Sequence, residues 1–198
     1  MKAVNTKLYS FNAVHRYSLL VGWSFHLALL ILLGICQEAM RSILDANFNT
    51  PLMWQFHGLN ESIFTPLFMA ANKFGKGNIV ALIMLVLLAV SLFTKQKQIT
   101  YRLLSFGVGL SLMVGITKQL VISARPQLWP YLENANGSSF PSSHAAASIG
   151  LAFIFYWLVG NKPQFRILKY GIFFVAFLTG CARIYIGVHR PSDVLLTW

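Results

Sequence analysis

The chain has 198 residues, of which 56% are hydrophobic and only 11% are charged, and its formal net charge is +11. So few charges, together with apolar runs of roughly 18 to 20 residues, are typical of a membrane protein and exclude an ordinary soluble domain. The basic residues are scattered between the hydrophobic runs, so they do not form the continuous surface that a nucleic-acid partner needs.

Apolar runs predict five membrane-spanning helices, because lipid offers no water to satisfy an open backbone. In chain order they cover 18–37, 77–94, 101–121, 143–160 and 167–187. The first follows a basic N-terminus, but no small-residue cleavage site follows it, so we expect a retained anchor rather than a signal peptide. No linker or repeat divides the chain, and we expect one domain over 1–198, an all-α polytopic transmembrane bundle.

A further helix is predicted between the first two spans. Apolar residues recur at helical spacing over 52–77, which indicates an amphipathic helix lying at the outer membrane interface. The apolar positions are Met53, Trp54, Phe56, Leu59, Ile63, Phe64, Leu67 and Phe68.

The charged residues predict the orientation in the membrane. Cations precede the first span and separate the second span from the third and the fourth from the fifth, and the positive-inside rule assigns these three segments to the cytoplasm. The N-terminus is then cytoplasmic in a multi-pass protein of the plasma (inner) membrane. The acidic residues all fall outside or at outer helix ends: Glu38, Asp45, Glu61, Glu133 and Asp193.

The first polar cluster lies near the outer end of the third span. Lys118 is followed by Arg125-Pro126, which gives the pattern K-x6-R-P. A lysine at this depth is often a snorkelling anchor, and Arg-Pro is ordinary in a loop. A cation inside a membrane nevertheless raises a functional hypothesis, here an anion-binding pair.

The second cluster, Phe140-Pro141-Ser142-Ser143-His144, directly precedes the fourth span. Pro and Ser are common at helix starts, where they cap the backbone. A helix N-terminus with hydroxyls and an imidazole is also a ready anion site. Capping explains the Pro and the Ser residues but not the His.

The third cluster contains Arg183, His189 and Asp193 in the pattern R-x5-H-x3-D. If Pro191 starts a helix, His189 and Asp193 can approach each other, and the carboxylate can then fix the tautomer of the imidazole. A purely structural His–Asp pair is the alternative. It leaves Arg183, near the outer end of an otherwise apolar span, without a purpose.

The predicted topology puts all three clusters on one membrane face. Three cations, two histidines, one carboxylate and a helix N-terminus would meet there, which suits phosphoryl transfer. Cations neutralise the phosphate oxygens, while one imidazole attacks phosphorus and the other protonates the leaving group.

At these residues the sequence resembles the type 2 phosphatidic acid phosphatase superfamily, whose signature is K-x6-R-P, then P-S-G-H, then S-R-x5-H-x3-D. The resemblance implies that His189 is the nucleophile, that Asp193 orients it, and that His144 is the acid and later the base. It implies a phosphate site made by Lys118, Arg125, Ser142, the backbone N–H of Ser143, and Arg183. No metal or other cofactor is implied, and no set of metal ligands stands at chelating spacing.

The sequence departs from that signature in two places. Ser143 stands where the family commonly has Gly, and Ala182 stands where Ser often precedes the Arg. The family's sixth span would begin near Asp193, so we expect the chain to be truncated soon after this position.

Three functions remain open. The first is an extracytoplasmic lipid phosphatase acting on a lipid phosphate or diphosphate, with undecaprenyl diphosphate as the preferred candidate. The second is a lipid phosphotransferase that uses the same phosphohistidine. The third is a lipid or anion transporter, which would need the three cations but gives no reason for both His144 and His189. The oligomeric state is not predicted.

Overall fold

A computed structural model describes residues 2–59, 63–160 and 162–198, with residues 2–19 described by their backbone alone. The regular elements in these ranges are all helical, as predicted. The helices are α1 (Lys2–Ala39), α2 (Arg41–Leu44), a π-helical turn (Asp45–Asn49), α3 (Thr50–His57), α4 (Phe64–Phe74), α5 (Gly77–Phe93), α6 (Lys97–Leu120), α7 (Ser143–Val159), a 3-10 turn (Pro163–Phe165), α8 (Arg166–Tyr185) and α9 (Pro191–Thr197).

A long apolar helix occupies each of the five predicted spans. In the described chain, three segments are long and apolar enough to cross a membrane, namely Leu20–Ala39, Lys97–Leu120 and Pro163–Tyr185. A fourth results if α4 and α5, which meet at an angle of 50°, count as one bent span. Helix α7 is apolar but has 17 residues. The helix boundaries agree with the sequence because unbroken hydrophobicity is a strong signal.

The single amphipathic helix predicted over 52–77 is two helices, which corrects that expectation. Helix α3 ends at His57, and α4 starts at Phe64; residues 60–62, including Glu61, lie outside the described residues. The apolar face of α4 packs against α8, where the rings of Phe68 and Tyr185 are 4.8 Å apart. The apolar spacing therefore correctly indicated helical structure, but part of the apolar face packs inside the protein.

Buried side chains concentrate at one end of the bundle, where α1, α6 and α8 finish and α5 and α7 begin. We call this the motif end. Phe140, Tyr185, Ile186 and Val188 are fully buried there, while most apolar side chains along the spans are exposed, as lipid-facing side chains are. The packing that defines the tertiary structure thus surrounds the polar motifs.

The α4–α5 junction brings the chain close to α7 and α8. A Cβ atom at Gly75 would lie 2.8 Å from the side chain of Thr179 and 2.9 Å from the backbone oxygen of His144. Such distances are too short for any side chain, so this approach requires glycine. The junction thereby holds the first turn of α7 against α8.

Candidate active site

The first turn of α7 carries the second motif. Ser142 is fully buried, its Oγ accepts a hydrogen bond from the N–H of Ala145 at 3.5 Å, and its own N–H donates to Thr197 Oγ1 at 3.0 Å. The hydroxyl therefore caps α7, in agreement with the capping interpretation of this motif. Ser143 is exposed, and its N–H belongs to the first helical turn, where backbone donors have no partner within the helix.

The loop from Ile186 to Arg190 connects α8 to α9 and carries His189. Gly187 adopts a positive φ of 89°, and a Cβ there would lie 2.5 Å from Nε1 of Trp129. Only glycine satisfies both conditions, so the turn depends on it. The N–H of His189 donates to the carbonyl of Arg183 at 3.3 Å, and His189 is 2% exposed inside the motif end.

His189 and Asp193 face each other, as their spacing predicted, but through a third residue. His189 Nδ1 lies 3.8 Å from Asp193 Oδ2, which is too long for a hydrogen bond. The hydroxyl of Ser139 donates to that Oδ2 at 2.5 Å and lies 3.5 Å from Nδ1. The N–H of Arg190 also donates to Oδ2 at 2.9 Å, and Gln37 Nε2 donates to Oδ1 at 2.5 Å.

The protonation of this pair follows from its burial. Removal of the imidazolium from water lowers the pKa of His189 to about 4, although the nearby Asp193 opposes the change. Burial would raise the pKa of Asp193, but the approach of His189 and hydrogen bonds from Ser139 and the N–H of Arg190 lower it to about 2. Near neutral pH the site thus contains a neutral imidazole beside a carboxylate.

Two of the predicted cations meet beside His189. Arg125 Nη1 lies 3.3 Å from His189 Nε2 and donates to the carbonyl of Val188 at 2.7 Å. Lys118 Nζ donates to the carbonyl of Ser138 at 2.6 Å, and Arg125 Nη2 reaches the same oxygen at 3.4 Å. The K-x6-R-P motif therefore brings Arg125 to the Nε2 side of the imidazole and places Lys118 beside Arg125, where both donate to the carbonyl of Ser138.

Arg183 has an anionic partner. Its Nη1 donates to Asn72 Oδ1 at 2.7 Å and lies 3.4 Å from Glu133 Oε2. Glu133 in turn accepts from Asn72 Nδ2 at 2.6 Å and pairs with Lys76 Nζ at 2.6 Å. Burial would raise the pKa of Glu133, but the hydrogen bonds from Lys76 and Asn72 lower it, so its carboxylate offsets part of the charge of Arg183.

His144 is partly buried in the first turn of α7, and the next residue, Ala145, packs with Ile184 and Val194 at the motif end. Nε2 of His144, and the Nε atoms of Arg125 and Arg183, are buried without a hydrogen-bond partner among the described residues. A buried polar atom left unpaired costs roughly 1 to 3 kcal/mol, and such atoms call for an explanation. Here one imidazole nitrogen and two guanidinium nitrogens could all bind a phosphate ester.

An apolar groove opens beside His144. It has a volume of about 690 Å³ and lies between α5, α6 and α7, lined by residues such as Val80, Met84, Leu103 and Leu110. Ser143 and His144 form its polar end. The groove is suited to a hydrocarbon chain whose polar end lies at the motif end.

The structure therefore brings Lys118, Arg125, His189 and Asp193 into one cluster, with Arg183 and His144 next to it, while Ser142 is engaged in capping. Sequence analysis missed the polar neighbours of these residues, because a single serine, amide or carboxylate carries no periodic signal. The missed neighbours are Gln37, Asn72, Lys76, Glu133 and Ser139. Within the described ranges no three His, Cys, Asp or Glu side chains are grouped to hold a metal ion.

The chain is similar to known membrane phosphatases. Phosphatidylglycerophosphatase B of Bacillus subtilis (strain 168) is 27% identical over 172 residues, which cover 84% of this chain and 82% of that protein. The crystal structure of a transmembrane PAP2 type phosphatidylglycerolphosphate phosphatase from Bacillus subtilis superposes with a TM-score of 0.66 at 23% identity, covering 89% of this chain and 87% of that one. LpxE of Aquifex aeolicus superposes with a TM-score of 0.61 at 24% identity, covering 75% and 87%.

The two crystal structures establish the fold of a transmembrane bundle. The family model described as the PAP2 superfamily matches residues 100–198, which include all three motifs and make up half of the chain. The protein belongs to the PAP2 superfamily of membrane phosphatases.

Proposed function

We propose that this single-domain protein is a lipid phosphatase that forms a phosphohistidine on His189. The observation that carries the proposal is the environment of this imidazole. Nδ1 faces Ser139 and Asp193, whereas Nε2 faces the guanidinium of Arg125. A neutral ring with its proton held on Nδ1 presents a lone pair at Nε2, on the side where cations would hold a phosphate.

In the first step, His189 Nε2 attacks phosphorus and the bond from phosphorus to the lipid oxygen breaks. His144 gives its proton to the departing oxygen, and Asp193 stabilises the positive charge that develops on His189. In the second step, neutral His144 takes a proton from water, whose oxygen attacks phosphorus. The bond from phosphorus to His189 Nε2 breaks, inorganic phosphate leaves, and His189 returns to its neutral form.

Phosphate binding falls to Lys118, Arg125 and Arg183, assisted by Ser142 and the N–H of Ser143 at the start of α7. Two observations support the roles of the arginines: the unpaired Nε atoms of both, and the position of Arg125 beside Nε2 of His189. When a phosphate binds, its charge competes with Glu133 for Arg183.

The groove between α5, α6 and α7 supports a lipid as the substrate. We propose undecaprenyl diphosphate as the first candidate, and phosphatidylglycerophosphate as the second because of the relative's name. The testing experiment measures inorganic phosphate released by purified protein from each of these and from phosphatidic acid. Release without an added acceptor supports hydrolysis, whereas activity that requires an acceptor alcohol would make the protein a phosphotransferase.

Chemistry without a metal predicts a specific inhibitor profile. Phosphate release is expected to persist in a chelator, since Lys118, Arg125 and Arg183 meet the phosphate charge. Vanadate is expected to inhibit, because its five-coordinate form resembles phosphorus in the transition state. Complete loss of activity in the chelator, with recovery on addition of magnesium, would contradict the mechanism.

The charge distribution leads us to propose that the motif end faces the extracytoplasmic side. A cysteine introduced at the exposed Asn136, in a chain whose Cys36 and Cys181 are replaced by Ala, is then expected to react with a membrane-impermeant thiol reagent in intact cells. The matched control places the cysteine at Gln98, which is exposed at the opposite end of the bundle, and should react only after lysis. The reverse pattern would invert the proposed orientation.

A further inference from the structure

The first span contains a buried polar residue that membrane insertion does not explain. Gln37 lies near the end of α1 and is 4% exposed. Its Nε2 donates to Asp193 Oδ1 at 2.5 Å, across 156 positions of the sequence. Its own Oε1 is buried without a partner within the described part of the chain. An apolar residue would avoid the cost of a half-satisfied amide at this position.

The two oxygens of Asp193 have different partners. Oδ2 accepts hydrogen bonds from Ser139 and from the N–H of Arg190, and it is the oxygen that approaches His189. Among the described residues, the amide of Gln37 is the hydrogen-bond donor to Oδ1. Because Gln37 holds the oxygen that faces away from His189, it fixes the rotation of the carboxylate and therefore the direction in which Oδ2 is presented.

Residues that follow α1 make two further sets of hydrogen bonds to the chain next to Asp193. Asn49 Oδ1 accepts from the N–H of Ser192 at 3.0 Å. Asp45 accepts from Arg190 Nε at 2.9 and 3.2 Å, and Asn49 Nδ2 in turn donates to Asp45 at 2.8 Å. The first turn of α9 is thus fixed by side chains of α1 and the π-helical turn.

We infer that Gln37 is a positioning residue for the nucleophile, acting through the carboxylate of Asp193. This inference rests on the proposed function of His189. Gln37 binds the far oxygen of Asp193, so its loss affects the attack on phosphorus rather than the binding of substrate. The expected signature is a lower kcat with an unchanged KM.

The test compares two substitutions in the full-length protein. Gln37→Met keeps the length of the side chain but removes the donor, and kcat is expected to fall about tenfold, as is common for residues that orient a histidine through a second group. Gln55→Met is the matched control, since Gln55 is exposed on α3, and it should retain full activity. The phosphate-release assay with the preferred substrate provides kcat and KM.

Gln37→Glu supplies a readout that a merely structural role would not produce. In mildly acidic buffer the introduced carboxyl group and Asp193 share one proton. The new side chain can then donate a hydrogen bond to Asp193, as glutamine does. In alkaline buffer that proton is lost, and two carboxylates repel each other at the position of this hydrogen bond. The charged groups facing Asp193 are His189 on the α8–α9 loop, Lys118 on α6 and Arg125 on the α6–α7 loop. These three groups are the same in the wild type and in Gln37→Glu, so their titration affects both proteins alike. The ratio of mutant to wild-type kcat should therefore decline as pH rises.

Several outcomes would overturn the inference. Wild-type kcat in Gln37→Met, a raised KM with unchanged kcat, or a pH-independent ratio in Gln37→Glu would each do so. Thermal unfolding of the purified variants separates a folding defect from a catalytic one, and activity lost only in proportion to folded protein also counts against the positioning role. If the wild-type protein releases no phosphate from any lipid, or His189→Ala remains active, the proposed function itself fails.

Discussion

His189→Ala is expected to abolish turnover of every substrate, because without the imidazole no phosphoenzyme can form. His144→Ala should depend on the leaving group. A lipid alkoxide leaving a monophosphate needs a proton, whereas a diphosphate expels a phosphate group whose second pKa is about 6 and which therefore needs less help. Phosphoenzyme formation from phosphatidic acid should thus slow by about a hundredfold or more, and formation from a prenyl diphosphate should slow much less.

Rapid-quench trapping of acid-labile phosphoprotein with labelled substrates measures this difference. His26→Ala is the matched control, since that ring bonds the carbonyl of Gly22 on its own helix, and it should leave phosphoprotein formation intact. Slower hydrolysis of the phosphoenzyme is expected in His144→Ala with both substrates, because water also requires a base. Phosphoprotein in His189→Ala, with none in His144→Ala, would mean that the two roles are reversed.

Asp193→Asn is expected to reduce kcat by about a thousandfold or more, as when the aspartate of a Ser-His-Asp triad is replaced. The amide has one acceptor oxygen for Ser139, the N–H of Arg190 and Gln37, so at least one buried donor loses its partner. The positive charge that forms on His189 during attack also loses its counter-ion. A variant with kcat near that of the wild type would contradict the role of Asp193.

The pH profile adds a second measurement to this substitution. Wild-type activity should fall as pH drops through about 4, because the imidazole of His189 becomes protonated and cannot attack. The negative charge of Asp193 raises the pKa of His189, so its removal should move this acid limb to lower pH. Glu38→Gln, which removes a carboxylate that pairs with Arg41, is the charge-matched control and should leave the limb in place.

Much of this architecture could be predicted from sequence because hydrophobicity and motif spacing carry it. Unbroken apolar runs located the five long helices, and the i, i+4 relation of His189 to Asp193 anticipated their approach once Pro191 started α9. The division of the predicted amphipathic helix after His57 was missed, since an apolar period continues across Gly58 and does not show where the chain turns. Local spacing cannot distinguish one helix from two that share a face.

The immediate environment of the motifs was harder to predict. Ser139 stands between His189 and Asp193, and Glu133 offsets the charge of Arg183, yet neither belongs to a periodic or spaced pattern. Gln37 belongs to none of the three motifs and lies at the end of an apolar run. Their roles arise from contacts between segments far apart in the sequence, which local patterns do not encode.

The hydrogen bond between Gln37 and Asp193 also has a consequence for biosynthesis. It joins the first membrane helix to Asp193, 156 residues further along the chain, so this contact cannot form until the helices between them have been synthesised. A nascent chain that already contains Lys118, Arg125 and His144 would still lack an oriented nucleophile. The contact between Gln37 and Asp193 therefore forms only after the helices between them are in place.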